Sequence, residues 1–402
     1  MSLAAALDPV AESNRLLDFA EAAVRPDGGF WWLDEAGRPD HGRGLHTWIA
    51  ARMTYVFTLA ALGGRRGATG IAEHGVSSLA ELFADPVAGG WFASVCPDDH
   101  APVEETKQAY QHAFVLLAAA AATAAQIRGG EQLLDEALKT VEDRFLDDRG
   151  RVVDRYDRGF THAEAYRGAN ASMHLVEALL PVGELRGPRW HQVALGIAEH
   201  LVHEVARDHG YRMPEHFDAD WTPLPDYHRE RPRDQFRPYG WTPGHLLEWS
   251  RLLVQLEATV SDPPGWLLAD ARGLFSRGLT GWAVNGRPGF CYTMNFDDTP
   301  VISSRLHWVH AEAMAAAAAL HRRTGEACYA EHEQRWRGFI AEYLRDGVHG
   351  SWHHELDPAN RPADGVWSGK PDVYHGYLAL LLPGLRPAPS APVQLAGSVS
   401  GG

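Results

Sequence analysis

A glycine-led loop recurs six times along this chain, and that recurrence limits the possible folds more than any other feature. Each copy sets Gly ahead of aromatic or apolar residues, with Asp or Pro close behind. The copies begin at Gly29-Phe30-Trp31-Trp32, Gly90-Trp91-Phe92, Gly150 with Val152-Val153-Asp154, Gly210-Tyr211-Arg212-Met213-Pro214, Gly289-Phe290-Cys291-Tyr292 and Gly350-Ser351-Trp352. Successive glycines lie 61, 60, 60, 79 and 61 residues apart. A fixed period of this length marks a repeat architecture, whose single unit cannot bury its apolar faces alone. The loops themselves read as short extended or turn segments.

Apolar spacing predicts two helices around each loop interval. They fall near Ala4–Val24, His46–Leu62, Gly70–Phe83, Lys107–Ile127, Glu131–Phe145, Gly168–Leu180, Arg189–Ala206, Pro243–Leu256, Pro264–Trp282, Ser304–Arg323, Ala327–Tyr343 and Pro371–Leu382. No alternation of strands and helices accompanies them, which argues against a parallel sheet. Six hairpins closed into a ring bury an inner and an outer helix layer. The expected fold is therefore all-α, an (α/α)6 barrel of six helical hairpins, with an open solenoid as the alternative. Residues 1–385 are expected to form one barrel domain. Residues 386–402, rich in Pro, Ala, Ser and Gly, are expected to be a disordered tail. The longer fourth interval holds an insertion, residues 218–237.

Charge narrows the partners. A formal net charge of -15 argues against nucleic acid and against an anionic membrane surface. No apolar run is long enough to span a bilayer. Three cysteines, none in a CxxC, give no disulfide framework and fit a reducing compartment. With no signal peptide read at the N-terminus, the expected location is cytoplasmic. Fourteen Trp and twelve Tyr exceed core needs, and aromatic faces suit the apolar faces of sugar rings.

A second periodicity concerns polar side chains. Arg52, Tyr110, His174, His245, Trp308 and His375 follow one another at intervals of 58, 64, 71, 63 and 67 residues. Each falls in the first turns of the second helix of a hairpin, and those helices are otherwise very apolar. A lone buried His is most often a satisfied core residue. Core packing does not demand the same polar register in six helices, however. The pattern points to one polar cavity at the mouth of the ring.

Two segments carry the chemistry. In Thr242-Pro243-Gly244-His245-Leu246-Leu247-Glu248, Thr242 reads as an N-cap and Pro243 as the first helical residue. Glu248, one turn on, is placed to orient His245. In Lys370-Pro371-Asp372-Val373-Tyr374-His375, Pro371 again opens a helix, with Asp372 and His375 on one face. Two histidines with carboxylate neighbours are equipment for moving protons near neutral pH. His200 and His203 read as an outer, solvated pair. His353-His354-Glu355 lies in a loop and lacks the HExxH spacing of a zinc site. No P-loop, dinucleotide fingerprint or Gly-x-Ser-x-Gly elbow is found.

At Asn170-Ala171-Ser172-Met173-His174, Pro238-Tyr239-Gly240-Trp241-Thr242-Pro243-Gly244-His245 and Gly369-Lys370-Pro371-Asp372-Val373-Tyr374-His375, the chain resembles the N-acylglucosamine 2-epimerase superfamily. The resemblance spans roughly Arg15 to Pro383 and is strongest to the aldose–ketose isomerase branch, which acts on mannose or sulfoquinovose. It implies an (α/α)6 barrel with His245 and His375 as an acid/base pair. It implies a helper role for His174 and, with it, Arg52 as a donor to the developing oxyanion. Tyr110, Asn170, Glu248, Trp308, Glu312 and Asp372 become holders of sugar hydroxyls, with Arg237 reaching the sugar's far end. Some epimerases of the superfamily carry a further His where this chain has Ser172, which leans toward isomerase.

The implied activity is cofactor-independent and metal-free interconversion of mannose and fructose through an enediol. The implied partner is a small free monosaccharide, and the protein a monomer or homodimer. The alternatives are a sugar 2-epimerase, a sulfoquinovose isomerase, an inverting glycosidase using Glu248, Glu312 or Asp372, and a noncatalytic sugar-binding protein.

Overall fold

The computed structural model describes residues 7–400. The first three residues of the helix expected from Ala4 lie outside that range, and within it thirteen α-helices are found. They are α1 Pro9–Ala20, α2 Thr47–Leu62, α3 Ala68–Ser77, α4 Ala109–Ala124, α5 Gly130–Thr140, α6 Ala169–Arg186, α7 Arg189–Ala198, α8 Pro243–Thr259, α9 Trp266–Gly278, α10 His307–Thr324, α11 Ala327–Phe339, α12 Tyr374–Leu381 and α13 Ala391–Ser400.

The apolar content of each helix decides its layer. From Ala113 to Ala122, α4 is buried on every side, and α2 is buried from Thr47 to Ala60. A helix apolar all round must lie inside a packed shell. In contrast, α5 buries Leu133, Leu134, Ala137 and Leu138 and turns Glu, Asp and Lys outward. The even-numbered helices from α2 to α12 form the inner ring, each packed on the next. Contact of α12 with α2 closes the ring and excludes the open solenoid. The odd-numbered helices from α3 to α11 back the inner helices that precede them, while α1 backs α12. The fold is thus an (α/α)6 barrel.

The recurring loops fasten one repeat to the next. The residues leading into α2 pair antiparallel with the following repeat's loop, Leu45 opposite Val95. Lys107–Gln108 does the same with Arg155–Tyr156, Arg167–Gly168 with His216–Phe217, and Arg305–Leu306 with Glu355–Leu356. Ahead of α8 a single bridge from Trp241 to Met294 does this work. The six loop glycines all take positive φ, between 62 and 113°. At Gly289 a Cβ would also stand 2.6 Å from Arg305 Nε, so this position needs glycine on two counts.

Two expectations are corrected. The segment expected to be a disordered tail carries α13, which packs on α2, α4 and α6 at the ends away from the loops. Ser390 and Ala391 are buried there, and the Ser390 N–H donates to Glu184 Oε1 at 2.7 Å. The last inner helix starts at Tyr374, not at Pro371. Asp372 precedes it and accepts from the Tyr374 N–H at 2.8 Å, so Asp372 and His375 do not share a helical face.

Candidate active site

The inner helices all begin at the loop end, so their first turns converge on one cavity of about 590 Å³, open solvent at its mouth included. That lies within the range of small-molecule clefts. Arg52, Tyr110, Asn170, His174, His245, Glu248, Trp308, Asp372 and His375 all line it. The polar register read from the sequence therefore marks one site.

His245 and His375 flank Trp308. Their ring centroids stand 5.1 and 5.9 Å from the indole, which puts the two imidazoles within about 11 Å of each other. Each is held from behind by a carboxylate. His245 Nδ1 is 2.9 Å from Glu215 Oε2, and His375 Nδ1 is 2.9 Å from Glu312 Oε1. Neither glutamate lines the cavity, so both rings are left with Nε2 for a ligand. Burial, with the nearby Arg52 and His307, pushes His375 well below the usual imidazole range. Burial also lowers His174 to about 4, against the pull of Glu177. Both rings are therefore neutral, proton-accepting groups at neutral pH.

Arg52 sits in an aromatic box. Its guanidinium lies 4.3 Å over Phe114, 4.9 Å over Tyr374 and 5.0 Å over Trp48. It donates to Tyr110 Oη at 2.9 Å and to Asp372 Oδ2 at 3.3 Å. These partners keep it charged against burial, which alone would lower its pKa. Five buried polar atoms of the lining lack any protein partner: Arg52 Nε, Asn170 Oδ1, Glu248 Oε2, His307 Nε2 and Trp367 Nε1. Buried polar groups are normally satisfied, so a ring of unmet donors and acceptors suits a ligand rich in hydroxyls.

The sequence profile of the N-acylglucosamine 2-epimerase (GlcNAc 2-epimerase) family matches residues 28–379. The chain belongs to that family. It is 50% identical over 395 residues to a D-mannose isomerase of Thermobifida fusca, covering 97% of this chain and 96% of that one. A D-mannose isomerase of Pseudomonas cannabina pv. alisalensis is 42% identical over 393 residues, covering 96% and 94%. Among solved structures, a D-mannose isomerase superposes with a TM-score of 0.87 at 25% identity, covering 95% of this chain and 98% of that one.

Against this family background, several sequence readings need correction. Glu248 does not orient His245, because Glu215 does. Glu248 instead lies 3.8 Å from His174 Nδ1. Glu312 sits behind His375 rather than in the lining. Arg237 does not reach the cavity. Its guanidinium forks onto both Glu164 oxygens at 2.8 Å, meets Asp154 at 2.8 Å and stacks 3.8 Å from Tyr166. Thr242 caps α8 by backbone position only, and its hydroxyl is buried without a partner. Ser172 is turned into the helix packing, its hydroxyl donating to Gly168 O at 3.0 Å.

Other site residues were missed. Trp48 and His307 lie in the first turns of α2 and α10, one helical turn before Arg52 and one residue before Trp308, and the periodicity could have found them. His354 was set aside as a loop residue, yet it lines the cavity and stacks 3.8 Å from His307. Gln235 and Phe236 come from the insertion, and Trp367 from the loop before α12; together they cover the mouth. No local pattern marks Glu215, which lies 30 residues before the histidine it holds.

The sequence showed no metal-ligand cluster, but the fold brings His174, Glu177 and Glu248 within metal-ligand reach of one another. A guanidinium already shares that place. Arg251 NH2 is 3.3 Å from Glu177 Oε1 and 3.3 Å from Glu248 Oε1, so it supplies the positive charge a cation would bring.

Proposed function

We propose that this chain is an aldose–ketose isomerase that interconverts D-mannose and D-fructose by histidine acid/base catalysis. The observation that carries the proposal is the pair His245 and His375, facing one cavity with a carboxylate behind each ring. The likeness to the Thermobifida fusca D-mannose isomerase over nearly the whole chain supports the choice of sugar.

The chemistry follows from the geometry. The sugar opens to its aldehyde with C2–H between the two imidazoles. One bare Nε2 takes the C2 proton, and a cis-enediol forms. The same proton, or one from the other ring, is delivered to C1, while the O2–H proton passes to O1 and the C2 oxygen becomes the ketone. Negative charge developing on the oxygens meets Arg52 and His174. Tyr110, Asn170, Glu248, Trp308 and Asp372 hold the remaining hydroxyls and the ring face. These steps need no nucleotide and no metal, and the substrate is a small free monosaccharide. The protein acts in the cytoplasm as a monomer or homodimer.

A sulfonated sugar fits this cavity less well. Arg237 is spent on Asp154 and Glu164, and Lys370 is buried against Asp346 at 2.6 Å. Arg52 is then the sole Arg or Lys in the lining.

Proton NMR of mannose turnover in deuterated water tests the proposal. The expected early product is fructose labelled at C1, with rate unchanged after exhaustive EDTA treatment. Glucose labelled at C2 ahead of any fructose would make the enzyme an epimerase. Turnover of sulfoquinovose but not mannose would change the substrate and keep the chemistry. A rate abolished by EDTA and restored by a divalent ion would replace the metal-free mechanism.

A further inference from the structure

Beneath the cavity floor lies a charged cluster of which the proposed chemistry uses only Glu248 directly. Arg251, on the third turn of α8, is buried and lines no part of the sugar cavity. It faces the base of the ring, where Ser390 and Ala391 at the start of α13 cover the space beside it. Its Nε donates to Glu312 Oε2 at 3.0 Å. Its NH2 reaches Glu177 and Glu248, each at 3.3 Å, and its NH1 donates to Gln255 Oε1 at 3.0 Å. One guanidinium therefore serves three buried glutamates from three inner helices, α6, α8 and α10.

Glu312 is the important member, because its other oxygen holds His375 Nδ1. That hydrogen bond can be made in two ways. An ionised Glu312 accepts from Nδ1–H and leaves a bare Nε2 lone pair for the cavity. A protonated Glu312 donates to Nδ1 and leaves Nε2–H there, a proton donor in place of a base. Three glutamates this close cannot all stay ionised without compensation. Burial raises Glu248 well above the carboxylate range and raises Glu312 as well, while Arg251 pulls Glu312 back down. Burial acts on Glu177 too, but its bonds from His174 and Tyr374 and the charge of Arg251 bring it to about 2. The proton of the cluster is thus best accommodated on Glu248, whose Oε2 has no protein partner.

We propose that Arg251 is a positioning residue that sets the tautomer of His375. By holding Glu312 as a carboxylate, it directs the imidazole proton to Nδ1 and presents a bare Nε2 to the substrate. Arg251 lines no part of the cavity and does not contact His375; its influence on that ring passes through Glu312. The proposal rests on the acid/base reading of His375, but its first test is independent of any substrate.

The test is nitrogen-15 NMR of histidine-labelled, substrate-free protein, with the His375 signals assigned by their loss in His375→Gln. The wild type should show a protonated Nδ1 and a bare Nε2. In Arg251→Met the two nitrogens should exchange character. With mannose, kcat should fall at least about tenfold while KM changes less than about twofold. Arg251→Lys keeps the charge and should restore the wild-type tautomer and most of kcat. If Arg251→Met does not fold, Arg251→Met/Glu177→Gln removes one negative charge along with the positive one and carries the same NMR readout. An unchanged His375 tautomer in the folded variant overturns the proposal, whatever happens to activity. A reversed tautomer with no turnover of mannose by the wild type would leave this proposal standing and remove the substrate assignment.

Discussion

His375 and His310 are both fully buried imidazoles near the start of an inner helix, yet one faces the cavity and the other braces a loop. His310 Nε2 accepts from the Phe290 N–H at 3.0 Å, and its Nδ1 meets Leu306 O at 2.9 Å. His112 repeats the device, accepting from the Trp91 N–H at 3.1 Å with Nδ1 on Gln108 O at 2.7 Å. In each case the braced residue follows a recurring glycine. Both nitrogens are consumed by backbone, so nothing is left for chemistry. His375 and His245 spend only Nδ1, and spend it on a carboxylate. A backbone carbonyl fixes an imidazole; a carboxylate fixes it and also stabilises the imidazolium that proton abstraction creates. Burial alone does not separate the two kinds. The partner at Nδ1 and the vacancy at Nε2 do.

The largest effect should come from removing the cavity-facing rings. His375→Ala or His245→Ala should lower kcat about 10²- to 10⁴-fold, the usual contribution of a general acid or base. The melting temperature should stay near wild type. Retention of most activity would move that residue to the bracing class.

Next in size is the carboxylate behind the other ring. Glu215→Gln should cost about 10- to 100-fold in kcat, the scale of an orienting partner, with KM little changed. Equal loss in kcat and thermal stability would mean that Glu215 only packs.

The bracing histidines should show the reverse pattern. His310→Ala leaves the Phe290 N–H buried and unpaired, which should cost about 1–3 kcal/mol in denaturant unfolding. Activity per folded molecule should be nearly intact. A catalytic loss comparable to His375→Ala would erase the distinction.

The last effect is one of pH. Burial lowers His112 and His310 to about 3, and His174 and His307 to about 4. Their folded values lie below the unfolded value of about 6.5, so the unfolded chain binds more protons between those limits. Their contribution to stability is complete above pH 6.5 and declines as pH falls toward 4 and then 3. Melts across that range should show the decline, and His112→Gln should flatten it. A melting temperature constant from pH 6.5 to 4 would remove the buried neutral imidazoles from the stability account.

The architecture was legible because it is periodic. Six glycines at near-equal spacing, and six apolar helices with polar first turns, are each one-dimensional signals of a closed ring. The residues that share a first turn were readable for the same reason, from Arg52 to His375. The partners behind them were not. Glu215 reaches His245 from a loop, and Glu312 reaches His375 from the neighbouring helix, so no spacing along the chain encodes either pair. The i, i+3 rule suggested Glu248 for His245, but tertiary packing turned that carboxyl toward His174 and Arg251. Composition misjudged α13 as well. Ala391, Val393 and Leu395 sit among Pro, Ser and Gly, and their helix forms against the apolar ends of α2, α4 and α6.

The placement of α13 has a kinetic meaning. It covers one end of the ring at α2, α4 and α6, opposite the cavity mouth beneath Phe236 and Trp367. A departing product must use the passage that the next substrate needs, and the two cannot cross inside. The enzyme's net throughput should fade as product accumulates outside, and the sugar pools measured against their equilibrium ratio should decide which way it runs.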